Sequence, residues 1–239
     1  MPDAGVKASS YAFLEPLGQS GRGGTTDRIQ SLLREAIIGF DLAPGEDIDK
    51  LAICERLGVS RFPVSEALAR LQGEGLVEIL PQRGTRVSRI RLAEVRQSMF
   101  IRRALEAQTV RTLAESHDGA LLPALERSLR YQKAAAAAAD RHGFHALDLE
   151  FHQILLDALG FARVKTVVEA ARANLDRVRR LLSSPRRHAL TLAEHEQIVA
   201  CLQAGDSETA RLAMERHLDS VITELVSFAA ENPTLFEDL

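Results

Sequence analysis

Residues Leu57–Val87 read LGVSRFPVSEALARLQGEGLVEILPQRGTRV. Gly58 offers a left-handed turn, Ser60 a helix cap and Pro63 a residue suited to a first helical turn. Val64, Ala67, Leu68 and Leu71 then recur at three- and four-residue steps, one face of an α-helix. After QGEG the period changes. Leu76, Val77, Ile79 and Val87 are β-prone, and Pro81 to Gly84 supplies a turn with Arg83 and Arg86 near its tip, which predicts a small hairpin.

Upstream, TTDRIQSLLREAIIGF places Ile29, Leu32, Leu33, Ala36 and Ile37 on one helical face behind Thr25 or Thr26 as cap, with Gly39 and LAPGE as the stop. DIDKLAICERLG repeats the device, with Asp49 as cap and Leu51, Ala52, Ile53 and Leu57 facing inward. Helix, helix, short turn, helix and hairpin is the order of a winged helix-turn-helix. Met1 to about Gly24, rich in Gly and Ser without a period, predicts a mobile tail. The expected organisation is a tail over 1–24, a winged helix-turn-helix over 25–90 and a helical domain over 91–232.

The whole chain sets the limits. With 46% apolar residues, 5% aromatics and no Trp in 239 residues, it is globular and mainly α, and an all-β reading is disfavoured. The net charge of −3 carries no polycationic signature. Between Arg61 and Arg91, however, six arginines stand against three glutamates, a local excess of three positive charges placed where a phosphate track needs them. Cys54 and Cys201 lack a second Cys at metal or redox spacing and read as small buried side chains in a reducing compartment. No apolar leader and no run near 18 apolar residues predicts a membrane or secreted protein, so a cytoplasmic chain is expected.

From Arg91 onward the pattern is helical, in six expected segments at about 92–115, 119–139, 143–159, 161–182, 188–204 and 206–230, whose short connections predict an antiparallel bundle. Among the histidines, His117, His142 and His188 fall in loops or helix ends and are expected in solvent. In HALDLEFHQILL, Asp148 and His152 are four apart and share one helix face, a spacing that serves a metal ion or a hydrogen-bonded core pair. His195 and His217 lie ten residues before and twelve after Gly205, at one height in an antiparallel hairpin. Three imidazoles and one carboxylate converging there would suit Zn²⁺ or a similar divalent ion with open coordination positions.

The stretch Leu57–Val87, with AIIGFDLAPGE upstream, resembles the GntR family of bacterial regulators. The second half, opening with RRALEAQTVRTLA, resembles the FCD ligand domain of the FadR subfamily, and six helices rather than seven resemble its VanR-like branch. The resemblance implies a homodimeric transcriptional regulator, more often a repressor, on a pseudo-palindromic operator in double-stranded DNA. Phe62 stands where the family usually has Thr, and Ser65 where it has Arg, so Ser65 offers one short contact in place of a two-donor grip on guanine. The expected DNA set is Arg34, which the family uses on the backbone, Arg61 and Ser65 on the recognition helix, Arg70 toward phosphate or solvent, and Arg83 with Gly84 at the wing tip.

The arrangement Asp148, His152, His195 and His217 resembles the metal site of FCD domains, which implies a divalent cofactor such as Zn²⁺. A small carboxylate effector would coordinate the ion and pair with Arg102, which matches a family arginine at the start of the first bundle helix. Asn174 either hydrogen-bonds a metal-bound water or ligand, or faces solvent. Two alternatives stay open: a metal-dependent hydrolase with Glu194, Glu196 or Glu150 as acid or base, and a regulator that senses the metal alone.

Overall fold

The computed structural model describes residues 11–18, 24–116, 119–173 and 175–237. It divides into two compact units, one running to Ile90 together with Thr234–Glu237, the other spanning Arg91–Pro233.

In the first unit, α1 (Thr25–Gly39), α2 (Lys50–Leu57) and α3 (Arg61–Gly73) bury most of the apolar faces expected of them: Ile29, Leu33 and Ile37; Ile53 and Leu57; Val64, Ala67, Leu68 and Leu71. Leu51, expected to face inward, is instead exposed in the first turn of α2. Asp49 Oδ1 accepts from the amides of Leu51 and Ala52 and opens α2, and Gly58, at φ +69°, closes it in the left-handed conformation that a Cβ disfavours. Helix α1 begins one residue earlier than the caps expected for it, with Gly24 N donating to Asp27. It ends on Phe40, at φ +68°, rather than on Gly39. Ser60 precedes α3 without a side-chain capping bond.

The wing is β2 (Val77–Leu80) antiparallel to β3 (Gly84–Val87), in the register Val77 opposite Val87 and Leu80 opposite Gly84. A third strand, β1 (Asp47–Ile48), pairs with the other edge of β3. Two residues carry no periodicity, so β1 had no signature in the sequence. The chain end also returns here: Ile90 N donates to Leu235 O, and Glu237 N donates to Ile90 O.

Residues 11–18 correct part of the mobile-tail expectation; residues 1–10 and 19–23 lie outside the described residues. Tyr11 and Leu14 are buried in the core of the first unit. The Tyr11 hydroxyl accepts from Asp49 N, Leu17 N donates to Leu57 O, and Arg56 donates to the carbonyls of Leu14 and Ala12. Tyr11, Phe13, Leu14 and Leu17 sustain neither a helical nor a strand period over so short a run, so no local pattern reveals this clasp. Leu14→Ala should therefore cost about 3 kcal/mol of stability, the range for emptying a buried leucine site. Urea unfolding of the full chain measures it, and a loss under about 0.5 kcal/mol, as at exposed positions, would contradict the burial.

The second unit is a bundle of α4 (Leu92–Glu115), α5 (Leu121–Ala137), α6 (Arg141–Leu159), α7 (Ala162–Ala173), α8 (Asp176–Leu182), α9 (Pro185–Ala204) and α10 (Ser207–Glu231). Helix α10 packs on α4 and α9, and α5 on α6 and α9. All six expected segments are present, but 161–182 is two helices, making seven among the described residues, so the six-helix count behind the VanR-like likeness is not met. No described helix is long and apolar enough to cross a membrane. His188 is a second correction: α9 starts at Pro185, so this residue lies inside the helix, buried and stacked on Phe144 with ring centroids 4.1 Å apart. His142 is exposed as expected, and His117 lies outside the described residues.

Candidate metal centre and nucleic-acid interface

Three capped helices deliver the metal-type residues. Asp140 caps α6 by accepting from Gly143 N, Ser184 caps α9 through Arg187 N, and Asp206 caps α10 through Thr209 N. Each cap sets the phase of its helix, and on each inward stripe a polar residue replaces an apolar one: Asp148 and His152 on α6, His195 on α9 and His217 on α10. Gly205, at φ +67°, turns α9 into α10, so His195 and His217 face the same depth. The four side chains meet, each offering a ligand atom within 4.8 Å of the others, and all four are buried.

Asp148 Oδ1 lies 3.7 Å from His195 Nε2 and 4.0 Å from His152 Nε2, and His217 Nε2 lies 3.3 Å from His152 Nε2. The opposite ring nitrogens all face acceptors. His152 Nδ1 is 2.5 Å from Glu106 Oε2, and His217 Nδ1 is 2.8 Å from Glu194 Oε2. His195 Nδ1 is 2.9 Å from Gln132 Oε1, an oxygen left to accept because the Gln132 amide nitrogen donates to Ser128 Oγ and Leu147 O. A carboxylate or amide oxygen at Nδ1 puts the proton there and directs the Nε2 lone pair inward. Two such lone pairs 3.3 Å apart repel unless a cation lies between them, and His195 Nε2 is buried without a hydrogen-bond partner.

Burial lowers His152 to about 3 in spite of Glu106, and it carries His195 well below its usual value, with the other histidines adding to the effect. Both are thus uncharged at neutral pH, the form that binds metal. Burial alone would raise the carboxyl of Asp148, but the positive charge of Arg179 beside it holds it well below the usual carboxylate range. Three imidazoles and a carboxylate with braced outer nitrogens fit Zn²⁺ or a similar divalent ion. Outer-shell partners of this kind typically govern metal affinity by about 10- to 100-fold. Gln132→Ala should weaken zinc binding by about that factor in a chelator-competition titration, and unchanged affinity would remove Gln132 from this role.

Guanidinium groups surround the centre. Arg102, on α4, is fully buried; its Nε donates to Glu106 Oε1 at 2.6 Å, while its Nη1 is buried without a partner. Glu106 thus links Arg102 to His152. Arg179, on α8, pairs with Asp148, and Arg172, on α7, donates to Leu149 O while its Nε is unpartnered. Asn174 lies outside the described residues. Sequence reasoning missed Glu106, Gln132, Arg172 and Arg179. Glu106 had a signal in its i, i+4 spacing from Arg102, whereas nothing local distinguishes the others. Of the nominated acids, Glu194 is occupied by His217 and Arg187, and Glu150 and Glu196 are exposed.

On the first unit, Arg61 and Ser65 are exposed on α3, and Arg83 and Gly84 are exposed at the wing tip, where Gly84 has φ +97°. Arg61 and Arg83 make no ion pair with a described residue. Arg34 and Arg70 are engaged: Arg34 donates twice to Glu74, and Arg70 pairs with Asp27 and Glu66. Both arginines tie α1 to α3, a partnership across some 40 positions that spacing along one helix does not reveal.

Residues 25–87 match the bacterial regulatory proteins of the gntR family, and residues 97–220 match the FCD domain. The chain is 36% identical over 216 residues to an uncharacterised HTH-type transcriptional regulator in an unstable DNA locus of Streptomyces ambofaciens, covering 89% of this chain and 91% of the relative. It is 32% identical to the HTH-type transcriptional repressor RspR of Escherichia coli (strain K12), over 88% of this chain and 93% of that one. A crystal structure described as a transcriptional regulator GntR from Rhodococcus sp. RHA1 superposes with a TM-score of 0.70 at 25% identity, covering 84% of this chain and 97% of that one. A winged helix-turn-helix followed by a helical domain, both covered by these relatives over almost nine-tenths of the chain, places this chain in the GntR family of transcriptional regulators, with an FCD domain as its second half.

Proposed function

We propose that the protein is a DNA-binding transcriptional repressor whose operator affinity is governed by a small organic acid held at a divalent metal ion, most simply Zn²⁺, on Asp148, His152, His195 and His217. The observation that carries this reading is the inward set of Nε2 atoms beside Asp148, each backed by an acceptor at Nδ1. When bound, the ion would supply a Lewis-acidic point for a carboxylate oxygen.

Charge supports an anionic ligand. Arg102, Arg172 and Arg179 balance the carboxylates of Glu106, Asp148 and Asp176, so a divalent ion leaves an excess of two positive charges. The unpartnered Nη1 of Arg102 is a donor available to a carboxylate. Sensing is favoured over hydrolysis because the nearest nominated base, Glu194, is committed to His217 and Arg187. A repressor role is supported by the similarity to RspR.

Two copies would place two recognition helices one duplex turn apart on a near-palindromic operator, and effector binding would bias an equilibrium between operator-competent and incompetent dimers. The test is a melting-temperature screen of organic acids with and without added Zn²⁺, because a ligand specific to the folded state raises the midpoint. An acid that stabilises only the zinc-loaded protein and releases bound promoter DNA is the expected result. Stabilisation that is indifferent to chelator would overturn the metal-held ligand. For the DNA face, Arg61→Ala with Arg83→Ala should flatten the salt dependence of duplex binding by about two phosphate contacts per protomer. A doubly substituted protein that shifts promoter fragments like the parent would place the interface elsewhere.

A further inference from the structure

Successive turns of α3 present Phe62, Ser65, Ala69 and Gln72 to solvent, opposite the buried Val64, Ala67, Leu68 and Leu71. The acidic groups of this helix region are drawn off that face. Glu66 is held by Arg70 and Thr26, and Glu74 by Arg34 and Gln30. What remains on this face of α3 is, among the described residues, a surface with no unpaired carboxylate, opened by Arg61 and narrowed by the small side chains of Ser65 and Ala69, so the helix backbone can come close to whatever it docks against. On this face stands Phe62, 76% exposed.

A single exposed apolar side chain is ordinary on a protein surface. This one lies in the first turn of the second helix of a helix-turn-helix, the part that reaches base edges when such a helix enters the major groove. A phenyl ring has no hydrogen-bond donor or acceptor with which to read the polar pattern there. The one apolar group among the base edges of the major groove is the 5-methyl of thymine.

We propose that Phe62 is a specificity-determining residue that packs its ring on the 5-methyl group of a thymine in each half of the operator. The inference rests on the DNA-binding reading and adds to it the base that is read and the chemical group that is recognised. Ser65 beside it makes at most a short contact, so discrimination at this step is by shape and apolar burial rather than by a two-donor grip on guanine.

The experiment begins with selection of binding duplexes from a random pool by the full-length protein. Thymines of the selected duplex are then replaced one symmetric pair at a time by deoxyuridine, which removes only the methyl group. For the parent protein, one pair should weaken binding by about fourfold per half-site, the worth of one methyl group returned to water, and so roughly fifteenfold for the pair. Phe62→Ser, which carries no methyl group and whose exposed site leaves melting unchanged, should bind the thymine and deoxyuridine forms of that pair equally. A selection that enriches no duplex overturns the DNA-binding reading itself. An enriched duplex in which no deoxyuridine weakens the parent, or in which Phe62→Ser is weakened as much as the parent, overturns the role of Phe62 alone. In that case the ring is a contact for sugar, phosphate or protein.

Discussion

His152→Ala combined with His217→Ala should abolish stoichiometric metal binding. The double substitution leaves one carboxylate and one imidazole, from Asp148 and His195, in a site that needs at least three protein ligands to hold a tetrahedral ion. Loss of a single outer-shell partner costs about 10- to 100-fold, so removal of two ligands should exceed about 10³-fold. Elemental analysis of protein dialysed against dilute zinc measures occupancy, and circular dichroism checks that the helices persist. The two histidines also face each other at 3.3 Å with inward lone pairs, so in the absence of zinc their removal relieves a repulsion as well as opening a cavity. The chelator-treated double variant should therefore fall less below the chelator-treated parent than two buried truncations would suggest. Zinc retained at one equivalent would refute the ligand set.

The second large effect concerns acid. In the metal-free protein, burial holds His152 at about 3, holds His145, one turn into α6 and beside Asp176, at about 4, and puts His195 well below its ordinary value. Unfolded, each titrates near 6.5. Below that pH the unfolded chain takes up protons that the folded chain refuses, so stability falls as pH falls and is recovered as pH rises through 6.5. Three such groups give a slope approaching about 4 kcal/mol per pH unit around pH 5. Asp148 and Glu106, both held well below the usual carboxylate range, act in the same direction once the pH approaches their unfolded values. The chelator-treated protein should be fully folded at pH 7.5 and lose most of its stability by about pH 5. Urea midpoints at half-unit steps of pH measure the slope, and His152→Gln should remove close to one proton from it. A slope of less than one proton in the parent would contradict the burial of neutral imidazoles. Bound zinc should deepen the acid sensitivity, because protons then compete with the ion for the same nitrogens.

The parts legible in the sequence were those in which a short-range rule and the final packing agree. The stripe Val64, Ala67, Leu68 and Leu71 is buried as its spacing predicted, and Gly58 and Gly205 take the left-handed turns that end their helices. Counting from Gly205 placed His195 and His217 at one depth because a straight antiparallel hairpin preserves distance from its turn. The reading failed where two distant segments decide the outcome. Strand β1 exists because the free edge of β3 accepts it. Residues 11–18 are ordered by carbonyls bound to Arg56 and by the contact between Tyr11 and Asp49, none of which has a local pattern. The expected segment 188–204 puts His188 at a helix end facing solvent; Ser184 and Pro185 begin the helix three residues earlier, which carries His188 inside it.

By itself, the order of residues determined which side chains share a helix face, Asp148 and His152 among them, where the chain turns, and hence that His195 and His217 stand at matching heights. Periodicity and capping are local, and they act before any long-range contact forms. Only the packed bundle decided which nitrogen of each ring looks inward. That choice belongs to Glu106, Gln132 and Glu194, which reach the rings from other positions or helices, and to a buried setting in which an imidazole gives up its charge. The same distinction holds on α3. Its amphipathic spacing exposed Phe62, but Arg34 and Arg70, folded back onto carboxylates from across the unit, cleared the surface around it.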